Sequence, residues 1–107
     1  MNKKIEQNKL DWTEGKVKGF FGKELLALTN GGLKLVKVAP EANYPEHLHP
    51  DKTEYAYVLE GTLEFIINFE THLGKEGDFF TFPVNTKHSI KNNTNVDCII
   101  LIGSIQN

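Results

Sequence analysis

The stretch Thr62-Leu63-Glu64-Phe65-Ile66-Ile67-Asn68-Phe69-Glu70 puts Leu63, Phe65, Ile67 and Phe69 on one parity and Glu64, Ile66, Asn68 and Glu70 on the other. Successive side chains of a strand point to opposite faces, so this alternation predicts a half-buried strand. Working outward, runs of similar length occur at residues 17–21, 24–29, 33–39, 53–59, 78–82, 86–91 and 96–102. Gly22-Lys23, Asn30-Gly31-Gly32, Glu60-Gly61, Gly77, Pro83 and Asn92-Asn93 punctuate them. Asn-Gly-Gly is a hairpin signal, because those residues tolerate positive φ. The loop Pro40-Glu41-Ala42-Asn43-Tyr44-Pro45 is closed to helix and central strand by its prolines. No segment after residue 14 keeps a helical stripe over three turns. The expected class is all-β, with about nine or ten short strands in an antiparallel sandwich or barrel.

With 107 residues there is room for one domain, expected over 15–107, with 1–14 as an N-terminal arm or edge element. All 12 basic residues are lysine, and with 14 acids the net charge is −2. Without arginine or a basic field, a protein that reads nucleic-acid sequence is not expected. The same lack argues mildly against a sugar phosphate or dicarboxylate as substrate. No apolar run nears the ~20 residues of a membrane-spanning helix, so no membrane partner is expected. The lysines near the start are followed by no apolar stretch, and the single cysteine, Cys98, reads as a small core residue. A cytoplasmic location is the expectation.

Three of the four histidines lie in two segments rich in turn residues. In Tyr44-Pro45-Glu46-His47-Leu48-His49-Pro50-Asp51-Lys52-Thr53-Glu54, His47 and His49 share a face of an extended chain. Glu54 has the wrong parity for that face, but a turn at Pro50-Asp51 can reset the register. Asp51 is the alternative carboxylate. In the second segment His88 shares parity with Thr86 and Ile90, whereas Lys87 and Lys91 take the wet face, so His88 should point inward. His-x-His alone also fits a solvated pair. Together, His47, His49, Glu54 and His88 make a site for a divalent transition ion such as Fe, Mn, Zn, Ni, Co or Cu, since calcium and magnesium prefer all-oxygen shells. His72 reads as a surface residue and Glu46 as solvated. Tyr55 and Tyr57 should face away from the cluster. Phe65, Phe80 and Phe82 fit either a pocket lining or ordinary core. No phosphate loop, Cys-x-x-Cys or Ser-His-Asp set is present, and no general base can be named, so catalytic residues stay unassigned.

His47-x-His49-x4-Glu54-x6-Gly61 followed by Gly77-x5-Pro83-x-Asn85-x2-His88-x3-Asn92 resembles the paired motifs of the cupin superfamily, over roughly residues 41–92. The resemblance implies a small antiparallel barrel of jelly-roll type, with a metal held by His47, His49, Glu54 and His88. Glycine is usual where Glu41 and Asn85 stand. Asparagine tolerates the left-handed region, whereas Glu41 suggests that the loop before His47 takes a different path.

Two kinds of function follow. One is a metalloenzyme on a small organic substrate, with an oxygenase favoured and an isomerase second. The other is a module that binds or senses a metal or small ligand. Residues 53–59 are apolar on both parities, which calls for a cover on the second face and predicts a homodimer unless the N-terminal segment supplies it.

Overall fold

The computed structural model describes residues 2–107. A 3-10 turn, Gln7–Lys9, precedes β1 (Thr13–Glu14), β2 (Phe20–Leu28), β3 (Gly31–Val38), β4 (Asn43–His47) and β5 (Lys52–Glu60). Then come β6 (Leu63–Ile67), β7 (Glu70–Gly74), β8 (Phe79–Phe82), β9 (His88–Lys91) and β10 (Cys98–Gln106). Two sheets result, in the orders β1-β2-β3-β10-β5-β8 and β4-β9-β6-β7, with every pairing antiparallel. The pairs nest: β6 with β7, β5 with β8, β4 with β9 and β3 with β10. Successive pairs alternate between the sheets, which is the winding of a jelly roll.

The core lies between the sheets. Val36, Val38, Ala56, Val58, Cys98 and Ile100 from one side meet Leu63, Phe65 and Ile90 from the other. Asn92 is the polar bolt of this core. Its amide donates to the carbonyls of Val38, Ala39 and Val96 at 3.0, 3.2 and 2.8 Å, and its side-chain oxygen accepts from the Thr94 N–H at 2.9 Å. Full pairing is what makes an amide tolerable at that depth.

Three local expectations change. Residues 17–21 and 24–29 are not two strands: β2 runs through Gly22-Lys23, which pair with Val36 and Leu35, and a bulge between Glu24 and Leu26 supplies the irregularity. The β2–β3 turn is Thr29-Asn30, with Leu28 opposite Gly31. Gly31 serves close approach instead of positive φ, since a Cβ there would run into the Ser104 carbonyl. The alternating run 62–70 ends as a strand at Ile67. Asn68 and Phe69 take φ of 49° and 67°, the conformation of a two-residue hairpin turn, and Phe69 projects into solvent.

On the outer face of the six-stranded sheet, Lys23 is 7% exposed. Its ammonium reaches the Gln7 backbone and side-chain oxygens at 3.0 and 3.1 Å and sits 4.5 Å from the centre of the Trp12 ring. The N-terminal segment therefore covers the β2–β3 corner of that face. Tyr57, Leu59, Phe79 and Ile105, farther along it, stay exposed.

Candidate metal centre

The structure brings His47, His49, Glu54 and His88 together from four places. His47 ends β4, and a bulge between Tyr44 and His47 turns both toward the interior. His88 opens β9 directly opposite His47. Glu54 comes from β5 in the other sheet. His49 lies in the link between β4 and β5, where its carbonyl accepts the Asn85 N–H at 2.8 Å. The turn at Pro50-Asp51 does reset the register, so that Glu54 faces inward with Ala56 and Val58.

One ligand atom from each of the four residues lies within 4.8 Å of all the others. His49 Nε2 stands 2.9 Å and His88 Nε2 3.3 Å from Glu54 Oε1. Adjacent ligands at about 2.1 Å from a transition ion are about 3 Å apart, so the spacing suits such an ion. Two of the imidazoles are already oriented. His47 Nδ1 donates to the Pro45 carbonyl at 2.9 Å and His88 Nδ1 to the Thr86 carbonyl at 3.0 Å. A carbonyl can only accept, which leaves each Nε2 lone pair directed away from its anchor. His88 is only 2% exposed, and its Nε2 has no hydrogen-bond partner, since Glu54 is close but badly aligned. A buried, unpartnered acceptor is costly on its own and is what a metal would satisfy.

Protonation favours the same use. Burial pushes the His47 pKa below its ordinary value, helped by the neighbouring His88 and His49, against the Pro45 hydrogen bond and Glu54. Burial acts to raise the Glu54 pKa, but the His88 contact, His49 and Lys52 outweigh it, and the carboxyl lies below its ordinary range. A neutral imidazole and an ionised carboxylate are the forms that ligate.

Phe82 stacks on His88, with centroids 4.4 Å apart and planes 9° from parallel. Phe65 belongs to the core, and Phe80 stacks on it at 4.2 Å, so Phe82 alone of the three touches the cluster. Asp51 is exposed and outside the four-residue group, as are Glu46 and His72. Tyr57 points to the outer face, and Tyr55 lies across Gly103 there. Two cavities open onto the cluster, of about 480 and 530 Å³. Phe20, Val36, Tyr44 and Phe82 line the first, and Gly32, Ser104 and Gln106 help line the second. The residue pattern by itself gives Tyr44, in the histidine segment, no role. Its ring is 4.7 Å from that of His47, and only the β4 bulge, invisible in the residue pattern, puts it there.

Both residues standing where glycine is usual take the left-handed backbone, Glu41 at φ 64° and Asn85 at φ 61°. The loop before His47 therefore keeps a glycine-like turn at Glu41, and no different path is needed.

A family model described as "Cupin domain" matches residues 34–103. The chain belongs to the cupin family. Among similar proteins, this cupin is 37% identical over 76 residues to germin-like protein subfamily 2 member 1 of Arabidopsis thaliana, covering 64% of this chain and 34% of that protein. It is 36% identical over 87 residues to a probable germin-like protein, subfamily 2 member 5, of the same plant, covering 73% and 40%. The cupin thus spans well under half the length of these curated relatives. Among solved structures, a predicted oxalate decarboxylase from Thermotoga maritima superposes with a TM-score of 0.89 at 21% identity, over 96% of this chain and 98% of that one. The polyketide cyclase RemF from Streptomyces resistomycificus gives 0.83 at 20% identity, over 98% and 80%. These likenesses establish the fold. No helix among the described residues is long and apolar enough to cross a membrane.

Proposed function

We propose that this cupin binds one divalent transition ion per chain through His47, His49, Glu54 and His88, and acts on a small organic substrate by oxygenase-type chemistry. The observation that carries the reading is the unpartnered Nε2 of buried His88, within a four-residue donor set at the junction of two open cavities. An ion such as Fe(II) or Mn(II) would supply Lewis-acid polarisation and one-electron chemistry at its open positions. The protein's part is positioning and dryness. The Pro45 and Thr86 carbonyls hold two imidazoles in place, while Phe20, Val36 and Phe82 keep water scarce around a bound molecule. The test is metal content and oxygen uptake for protein loaded with each ion, against diketones, thiols and catechols. The Fe(II) or Mn(II) form should consume oxygen and the zinc form should not. Equal metal uptake by wild type and the His47→Ala/His49→Ala variant would remove the site.

One observation favours a second reading, a binding or sensing module. Outside the donor set the 480 Å³ cavity holds one carboxylate, Glu14, and one of its oxygens accepts the Gly19 N–H at 2.9 Å, a structural use that ties it to the loop between β1 and β2. Tight ligand binding without oxygen uptake by any metal form would establish that module. An isomerase would instead turn over a substrate with zinc as Lewis acid.

A homodimer is part of the proposal. Tyr57 and Phe79 are 41% and 58% exposed on an apolar stretch that the N-terminal segment leaves bare, and a second copy of the chain is the proposed cover. Light scattering should report twice the 12.1 kDa chain mass, and a 12.1 kDa particle at micromolar concentration would exclude it. The lone, fully buried Cys98 fits a reducing compartment such as the cytoplasm.

A further inference from the structure

Five residues line both cavities: His49, Glu54, Ile102, Lys34 and Lys52. Two of them belong to the donor set, and two are lysines that flank it. Lys52 stands two residues before Glu54 on the same face of β5, with its ammonium 3.8 Å from Glu54 Oε2. Lys34 has the inner-face parity of β3, like buried Val36 and Val38, but is itself exposed, at the open side of the two cavities it lines. Its register neighbour on β10 is Ile102, and the next on β5 is Ala56. Two strand spacings, about 10 Å, therefore separate Lys34 from the strand that carries Glu54. Glu24 lies opposite Lys34 on β2, yet no carboxylate among the described residues comes within 4.0 Å of the Lys34 ammonium.

Charge separates the two cavities. The larger holds Lys34 and Lys52 against Glu24, Asp51 and Glu54. The 480 Å³ cavity holds Lys16, Lys34 and Lys52 against Glu14 and Glu54. It is thus positive by one charge in a chain of net charge −2, and a divalent ion on the cluster would make it positive by three. Apolar walls strengthen that field. Lysine presents a point charge and not a planar fork, so it can hold a single carboxylate without arginine.

We propose that the 480 Å³ cavity takes a small 2-oxo or 2-hydroxy carboxylate. Its 2-oxygen is directed to the four-residue cluster, and its carboxylate is held by Lys52 and Lys34. The proposal rests on the metal-site reading and narrows its substrate class to small organic anions. Two strand spacings and two flexible lysine stems leave room for a ligand of three to five carbons, roughly.

The experiment uses the full chain loaded with cobalt(II), whose visible spectrum responds to coordination. Pyruvate is titrated beside butane-2,3-dione, a neutral molecule of similar shape. Pyruvate should perturb the spectrum with an apparent Kd at least about tenfold lower than the dione, and the gap should narrow as salt rises. Lys34→Gln, two strands from Glu54, should weaken pyruvate binding by about threefold to tenfold, leaving cobalt stoichiometry and dione binding as they were. Lys34→Arg should restore it, and Lys34→Gln/Lys52→Gln should weaken it further. Equal binding of pyruvate and dione, or unchanged pyruvate binding in the double variant, would overturn the proposal and leave the metal site standing. Failure of the wild type to take up cobalt would sink both.

Discussion

The inner face of the six-stranded sheet has two ends built on the same strands. At one end Val38 pairs with Cys98, and Ile100 sits between Val36 and Val58, all of them buried. At the other end, four to six residues along β10, Ser104 sits between Gly32 and Glu54, and Gln106 pairs with Lys52. β10 pairs with β3 and with β5 at both ends, with one register irregularity between Ile99 and Ile100, so strand pairing by itself does not open a cavity. The difference lies in residue type along one parity. Branched apolar side chains close the sheets against each other. Glycine, serine, glutamate and lysine at the same parity cannot fill that space, and the cavity is what remains.

If the two ends are energetically separate, substitutions should act on one and spare the other. Ile100→Ala, at the filled end, should cost about 2–5 kcal/mol in chemical denaturation while the folded protein still binds cobalt normally. His88→Ala should show the reverse, with cobalt affinity down by about 100-fold or more and the β-sheet circular dichroism retained. A variant losing both properties together would show that the ends form one cooperative unit.

The ends should also separate by pH in metal-free protein. Below its ordinary value of 6.5, His47 is protonated more readily in the unfolded than in the folded chain, so stability declines as pH falls through that region. Glu54 contributes stability above its ordinary value of 4.5, which is lost as pH falls through its lower folded value. Calorimetry should show melting temperature falling with pH, and Glu54→Gln should flatten the part below 4.5. Ile100→Ala should shift the whole curve without changing its shape. The smallest effect is expected at Glu41, in the loop beside the filled end. Replacing a left-handed glutamate by glycine should raise stability by about 0.5–1 kcal/mol without altering cobalt affinity.

Period-two alternation, turn residues and the absence of helical stripes were enough to read an all-β antiparallel chain, because strand faces are a local property of the residue order. The inward parity of His88 was legible in the same way, as was the shared face of His47 and His49 in one short turn-rich segment. The ends of runs were less legible. Nothing in Phe69 announces a turn, and Gly22-Lys23 looks like one but is held in β2 by its pairing with Val36 and Leu35. Long-range partners settle such points, and they lie outside any local window. Tyr44 and Lys34 needed the folded chain for the same reason. A bulge turned Tyr44 toward His47, and Lys34 shares cavities with His49 and Glu54 only because β10 joins β3 to β5. Residue order determined which side chains could face inward; only the closing of two sheets decided which of them share a cavity, since that depends on contacts between strands remote along the chain.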